Sequence, residues 1–391
     1  MATTPAEISH YVDENWSAIF ADISRLVSIE SVEDQTSANS DAPWGEGPRR
    51  ALSCALSMAD RLGLQTHDCD GIIGFADVPG EVEGQVATIA HLDVVPAGPG
   101  WDSNPFFLQK RENYLVGRGV LDDKGPAVLT LWAAHYLVAE GRAAGRKTVR
   151  ILLGVNEETG MGDARWYVRN YSAPDFLFTP DSAWPVVCGE KGSHNAELAW
   201  ECDPQGRIVE IDGGTVRNAV AASAKAVVRI DTEDLPAAMG ITVSPVGLGL
   251  SEVSARGTGG HAAEPEGTVS AIGVLVGYLL QNGVCSALER RWLEFENRVF
   301  SSTDGSAFGI EATDDLFTPL TIISGTIETK GRQFVQTTDC RYPKSTNAEA
   351  ISAGIKKTCA RYGVEYSEIH RGMPLYVNPE SPEVKILLEC Y

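Results

Sequence analysis

The chain has 391 residues, 43% hydrophobic and 22% charged, with 53 Asp and Glu against 32 Lys and Arg for a net charge of -21. That is the composition of a folded protein of two or three domains, and its acidity argues against a nucleic-acid partner or an anionic membrane surface. No apolar run reaches membrane-spanning length, no basic segment leads into an apolar one at the N-terminus, and the eight cysteines show no C-x-x-C spacing, so free thiols in a reducing cytoplasm are expected.

Thr4, Pro5 and Glu7 read as a helix start, with Thr4 as N-cap and Glu7 closing a capping box. Ile8, Val12, Ile19, Ile23, Leu26 and Val27 recur near helical spacing, which predicts an amphipathic helix over 6–29. Residues 31–48 are polar, contain Pro43, Gly45 and Gly47, and read as a surface loop. A second helix, 49–62, is stopped by Gly63. Two short β segments follow, 65–69 and 72–78. Residues 86–91 are small or β-branched up to His91 and form a buried strand.

Irregular chain then leads through Pro96 and Pro105 to a short strand near 114–118. GRGVLDDKG, 117–125, opens an apolar helix over 126–139. Residues 148–155, TVRILLGV, are another buried strand, ending in Asn156-Glu157-Glu158-Thr159-Gly160. A helix over 164–171 and a short strand over 175–179 follow, the latter ending at Pro180-Asp181. The alternation of strand, acidic turn and helix predicts an α/β domain around a mostly parallel mixed sheet flanked by helices. Ligands bind such sheets outside the carboxyl ends of the strands. His91, Asp93, Glu157, Glu158 and Asp181 all fall at such ends.

Past Pro185 the pattern changes. Residues 186–232 alternate as strands, with a hairpin turn expected at Gly213-Gly214. Residues 242–256 have strand composition, and GTGGHAAEPEG leads into a helix over 269–280. A helix over 289–300, a hairpin over 321–342 and a helix over 346–362, capped by Thr346 with Glu349, complete an inserted α+β domain. The expected division is 1–189 plus 377–391 for the first domain and 190–376 for the inserted lid. Ser381 and Pro382 start a last helix with an apolar stripe of Val384, Leu387, Leu388 and Tyr391.

His91-x-Asp93, Asp122-Asp123, Glu157-Glu158, Asp181 and His261 carry the chemistry. Carboxylates gathered without matching basic residues repel one another unless cations join them. A pair of divalent ions roughly 3.5–4 Å apart, bridged by one carboxylate, is the usual solution. Imidazole with carboxylate suits zinc, and also manganese or cobalt. Asp123 reads as structural. His10, His67, His135, His194 and His370 match no motif, and the Gly-rich GTGGHAAEPEG lacks the Lys-Ser/Thr ending of a phosphate loop.

AHLDVVPAG, GRGVLDDKGP, NEETG, FTPDSAWP, GGHAAEP and DCRYP stand in this order between 90 and 343. Together they resemble the co-catalytic zinc peptidases that include aminoacylase, carboxypeptidase G, carnosinase and the PepV-type bacterial dipeptidases, with the PepV type nearest. The resemblance implies hydrolysis of dipeptides at two divalent metal ions. His91 and Asp181 would hold the first metal, Glu158 the second, and Asp122 would bridge them. Asp93 would orient His91, and Glu157 would be the general base on the metal-bridging water. His261 would stabilise the tetrahedral oxyanion, and Asn218 and Arg341 would bind substrate, Arg341 through its terminal carboxylate. A small peptide is the expected partner and a monomer is expected rather than an oligomer. Family members continue past the last helix to a final histidine on the second metal. No histidine follows His370 here, so the second site is expected to lack a ligand. Deacylation of N-acyl amino acids, or a non-catalytic metal- or peptide-binding role, stay open as alternatives.

Overall fold

The structure, a computed structural model of the chain, describes residues 4–98, 100–142 and 146–391. Its internal contacts divide the chain into Met1–Val186, with Tyr391, and Val187–Cys390. The first unit contains α1 (Pro5–Val27), α2 (Glu46–Arg61), β1 (Gln65–Cys69), β2 (Ile73–Val78), β3 (Val82–His91), β4 (Gln109–Arg111), β5 (Tyr114–Val116), α3 (Lys124–Ala139), β6 (Lys147–Gly154), α4 (Gly162–Asn170) and β7 (Phe176–Phe178). Five of these strands form one mixed sheet in the order β1-β2-β6-β3-β7. β6, β3 and β7 run parallel, with His91 opposite Gly154, whereas β1 and β2 join antiparallel.

Both faces of this sheet are covered, which is why the second half of β6, Ile151 to Gly154, is apolar and buried without a break. Its side chains alternate by strand geometry: Ile151 and Leu153 enter the core made with α1, α2 and α3, while Leu152 enters a smaller one with Phe75 and Tyr167 of α4. The three helices are tied together at Asp22, a buried carboxylate of α1. It accepts from Arg61 of α2 at 2.6 and 2.7 Å and from Trp132 Nε1 of α3 at 3.0 Å. Hydrogen bonds to charged groups of this kind contribute about 1.5–3 kcal/mol each. The Thr4–Glu7 capping box opens α1 as expected. α2 starts at Glu46, three residues before the expected start, behind Gly45 at φ 102°.

The second unit contains β8 (Gly189–Glu190), β9 (Gly192–Glu201), β10 (Ile208–Gly213), β11 (Ala219–Val220), β12 (Ser223–Val228), β13 (Ile241–Gly247), β14 (Leu250–Arg256), β15 (Gly260–His261), α5 (Ala271–Gln281), α6 (Ala287–Val299), β16 (Thr321–Lys330), β17 (Gln333–Tyr342), α7 (Ala348–Tyr362), β18 (Glu365–Gly372), β19 (Leu375–Tyr376) and α8 (Pro382–Cys390). Eight strands make an antiparallel sheet in the order β13-β14-β12-β10-β16-β17-β9-β18. α5 and α6 cover one end of it around Ile272, Leu275 and Trp292, and α7 with Phe295 covers the other.

Three local expectations differ from what forms. Gly213-Gly214 does not turn a tight hairpin: β10 pairs with β12, but the chain between them makes β11, which pairs with β15. α7 is capped by Asn347, whose side chain accepts from Ala350 N at 2.9 Å, instead of by Thr346. The last helix, α8, groups with the second unit, not with the first. Among the described residues no helix is long and apolar enough to cross a membrane.

Candidate active site

β3 carries His91 to the carboxyl end of the first sheet, where the side chain is 4% exposed. Its Nε2 faces acid on several sides: Asp122 Oδ1 at 2.8 Å, Asp181 Oδ2 at 3.5 Å and Glu157 Oε2 at 4.0 Å. Nδ1 lies 3.0 Å from the backbone carbonyl oxygen of Asp93 and 3.5 Å from that residue's carboxylate. The ring is thus held from behind by the chain it belongs to, and its other nitrogen is left for the acidic cluster.

Asp93 does more than accompany His91. It is 1% exposed, and its two oxygens accept from the backbone N–H groups of Glu157 at 3.2 Å and Glu158 at 3.0 Å. Asp163, at the start of α4, accepts from the two preceding N–H groups, Val155 at 2.6 Å and Asn156 at 3.0 Å. Four successive amides, 155 to 158, are therefore fixed by two buried aspartates. Asn156 adds a bond from Gly162 N at 2.8 Å and donates to Glu33 at 3.0 Å. The loop bearing both glutamates leaves the strand with its backbone fully pinned. Sequence reasoning missed Asp163 and Asn156; the one signal was an acid in the first turn of the helix after the loop.

The Asp122-Asp123 turn presents its two carboxylates differently. Asp122 reaches His91 and is open to solvent, whereas Asp123 is fully buried. One Asp123 oxygen accepts from His91 N at 3.1 Å, and the other has no hydrogen-bond partner. Asp123 was read as structural, yet its oxygen joins His91 and Asp181 in one of two sets of donor atoms lying within 4.8 Å of one another. The other set is His91, Asp122 and Glu158. Gly125 is required here, since a Cβ would stand 2.0 Å from the carbonyl oxygen of Val120.

The nearby cations are engaged elsewhere. Lys124 is buried and donates to the carbonyl of Ile29 at 2.6 Å, and Arg118 donates to the carbonyls of Pro96 and Ala97. The cluster is consequently short of positive charge, and its proton affinities reflect that. Burial pushes Glu157 up to about 7; His91 opposes this, and Glu158, Asp93 and Asp181 add to it. Burial, with Asp181 beside it, pushes Asp123 up to about 8. Burial alone would lower His91, but its hydrogen bonds to Asp122, Asp181 and Asp93 more than reverse that and hold it well above the usual imidazole range. One imidazole, several crowded carboxylates and an unpartnered buried oxygen are a donor set that fits divalent cations.

The second unit supplies the remaining candidates. β11 and β15 pair with Ala219 opposite His261, and the carbonyl of Asn218 accepts from Ala262 N at 2.9 Å. His261 Nδ1 accepts from Ala263 N at 3.2 Å. That bond assigns the ring proton of a neutral imidazole to Nε2, which makes Nε2 a donor. Arg341 on β17 is held by Asp339, two residues back on the same face of the strand, at 2.7 Å from Nε and 3.2 Å from one terminal nitrogen. Asp339 was not singled out from sequence, although the period-two spacing in DCRYP marks it. His261 and Arg341 line one cavity of about 720 Å³ in this unit.

The strand-end acidic cluster and its pinned glutamate pair form the candidate active site of the first unit. The chain belongs to peptidase family M20/M25/M40, whose profile matches residues 87–391, and it is a peptidase. A putative dipeptidase of Staphylococcus epidermidis is 29% identical over 393 residues, covering 95% of this chain and 82% of the relative. One from Staphylococcus aureus is 28% identical over 410 residues, covering 98% and 84%. Human carnosine dipeptidase 1 shares the fold with a TM-score of 0.57 at 16% identity, covering 96% of this chain and 82% of its own. The yeast dipeptidase Dug1p from Saccharomyces cerevisiae does so with 0.54 at 13%, covering 96% and 81%.

Proposed function

We propose that the chain is a metal-dependent dipeptidase. The observation that carries this reading is the convergence of Asp122, Asp181 and Glu157 on the one free nitrogen of a buried histidine. His91, Asp122, Glu158 and Asp181 would hold two divalent ions, with zinc best matched to this donor set and manganese or cobalt also suited. When bound, such ions lower the pKa of water and polarise the scissile carbonyl. Glu157 takes a proton from the attacking water and delivers it to the amine nitrogen as the C–N bond breaks. His261 donates from Nε2 to the oxyanion, Arg341 pairs with the terminal carboxylate and Asn218 contacts the substrate. Asp93 aligns His91 and the two glutamates together. All eight cysteines are free thiols, which accords with a reducing cytoplasm.

The test is hydrolysis of a panel of dipeptides and N-acetyl amino acids by the purified chain with zinc, manganese or cobalt. Dipeptide cleavage that a chelator abolishes and metal restores is expected. Cleavage of the N-acyl compounds alone would replace this reading with a deacylase, and chelator-resistant cleavage would remove the metals from it.

A further inference from the structure

We infer that the cavity of the second unit selects its substrate by an apolar side chain on the C-terminal residue, with Phe317 as the principal contact. This rests on the dipeptidase reading above. The C-terminal residue of a dipeptide lies between two polar groups, the scissile carbonyl and the terminal carboxylate. The residues assigned to those groups, His261 and Arg341, line the same cavity. The side chain between them therefore falls against what remains of its wall. Its large apolar side chains all come from one segment, Leu316, Phe317, Pro319 and Leu320 with Thr318 among them; the rest of the wall is mainly small, polar or charged.

The wall is built in advance of any ligand. Asp314 accepts from Leu316 N at 2.9 Å and Phe317 N at 2.8 Å with one oxygen, and from Ser345 N at 3.2 Å with the other. At the far end Leu320 N donates to the carbonyl of Ala312 at 2.8 Å, and Lys191 donates to the carbonyl of Pro319. The Phe317 ring sits over Gly189, where a Cβ would come within 2.9 Å of it, and lies edge-on to Tyr376 at 6.4 Å. A fixed aromatic face presented by a loop anchored at both ends recognises shape at little ordering cost.

The charges of the cavity act in the same direction. Glu190, Glu264, Glu266 and Asp304 line it and are exposed, so they work at its mouth. Its two cations, Lys191, which donates to the carbonyl of Pro319, and Arg341, which pairs with Asp339, are outnumbered by these acids. A second carboxylate, on an Asp or Glu side chain, would enter against net like charge. Acidic side chains should therefore be the least accepted, while the apolar run favours apolar ones over glycine.

The experiment is kcat/KM of the metal-loaded full chain for Ala-Leu, Ala-Phe, Ala-Gly and Ala-Asp. Apolar pockets discriminate by about 10- to 200-fold per group filled, so Ala-Leu or Ala-Phe should exceed Ala-Gly by about tenfold or more, with Ala-Asp lowest. Phe317→Ala should shrink the Leu-to-Gly ratio several-fold. Leu316→Ala, at a half-exposed position that folding tolerates, should shrink it less. Equal turnover of Ala-Leu and Ala-Gly, preference for Ala-Asp, or a ratio unmoved by both variants would overturn the inference and leave the dipeptidase reading in place. Failure to cleave any of the four would instead overturn that reading, and the inference with it.

Discussion

Two buried histidines, one in each unit, sit in opposite chemical settings. His91 is 4% exposed and His194, on β9, is fully buried. His194 Nε2 meets the hydroxyls of Ser352 and Tyr366, each at 2.9 Å, and Glu368 at 3.5 Å. Arg371 already neutralises Glu368 through bonds of 2.8 and 2.9 Å. Burial therefore prevails and lowers the proton affinity of His194, with Glu368 opposing only in part. Around His91 no arginine or lysine among the described residues forms an ion pair with the acids, Arg118 acting only weakly on Asp122, and the balance reverses. Burial of an imidazole does not by itself mark a metal ligand; the count of carboxylates left without a counter-charge does.

The widest break in that comparison should come from Asp122→Ala. Asp122 makes the shortest contact to His91 Nε2 and lies nearest to it of all the acids, so its loss should remove bound metal and abolish peptide cleavage. Elemental analysis checks the first and a dipeptide assay the second; full metal content would disprove the bridging role. Glu157→Gln comes next, with kcat lower by on the order of 10²–10⁴ and metal content retained. Unchanged turnover there would take Glu157 out of the proton transfer.

Asp163→Asn is a sharper, smaller probe. Val155 N and Asn156 N donate to one oxygen of Asp163 and Ala164 N to the other, so an amide must turn its NH2 towards one of these donors, loosening the loop without touching the cluster. Supporting residues of this kind cost about 10- to 100-fold when removed. The loss should fall on kcat per folded enzyme, checked by active-site or folding titration, with KM nearly constant; unchanged kcat would take Asp163 out of placing Glu157.

The smallest effect concerns stability alone. Glu296 on α6 is 1% exposed, with one oxygen unpartnered, and burial pushes it up to about 8 although Gln336 and Trp292 pull the other way. An acid whose folded pKa is raised binds its proton more tightly in the native state. Its contribution is complete below the ordinary carboxylate range and is lost as pH rises towards about 8. The melting temperature should thus fall over that interval, and Glu296→Gln should flatten the slope. A parallel slope in the variant would assign it to other groups.

Much of this was legible in sequence because strong patterns encode it. The apolar run of β6 needs cover on both faces, and the acidic turns after β3 and β6 end strands of one sheet. The parts that were not legible rest on interactions with no sequence period. Asp163 acts on backbone amides seven and eight residues before it, and β11 and β15 are two-residue strands that only their pairing defines. Thr346 and Asn347 are adjacent and both able to cap, so local chemistry could not choose between them. The apolar stripe of α8 predicts a buried face, but only Val384 of it is buried, with Leu388 and Tyr391 exposed.

The most direct test of the account is calorimetric titration of zinc into metal-free wild type, His91→Ala and His194→Ala. Tight binding to wild type is expected, weakened on the order of 10²-fold or more in His91→Ala and unchanged in His194→Ala. Zinc binding that survives in His91→Ala, or is lost in His194→Ala, would contradict it.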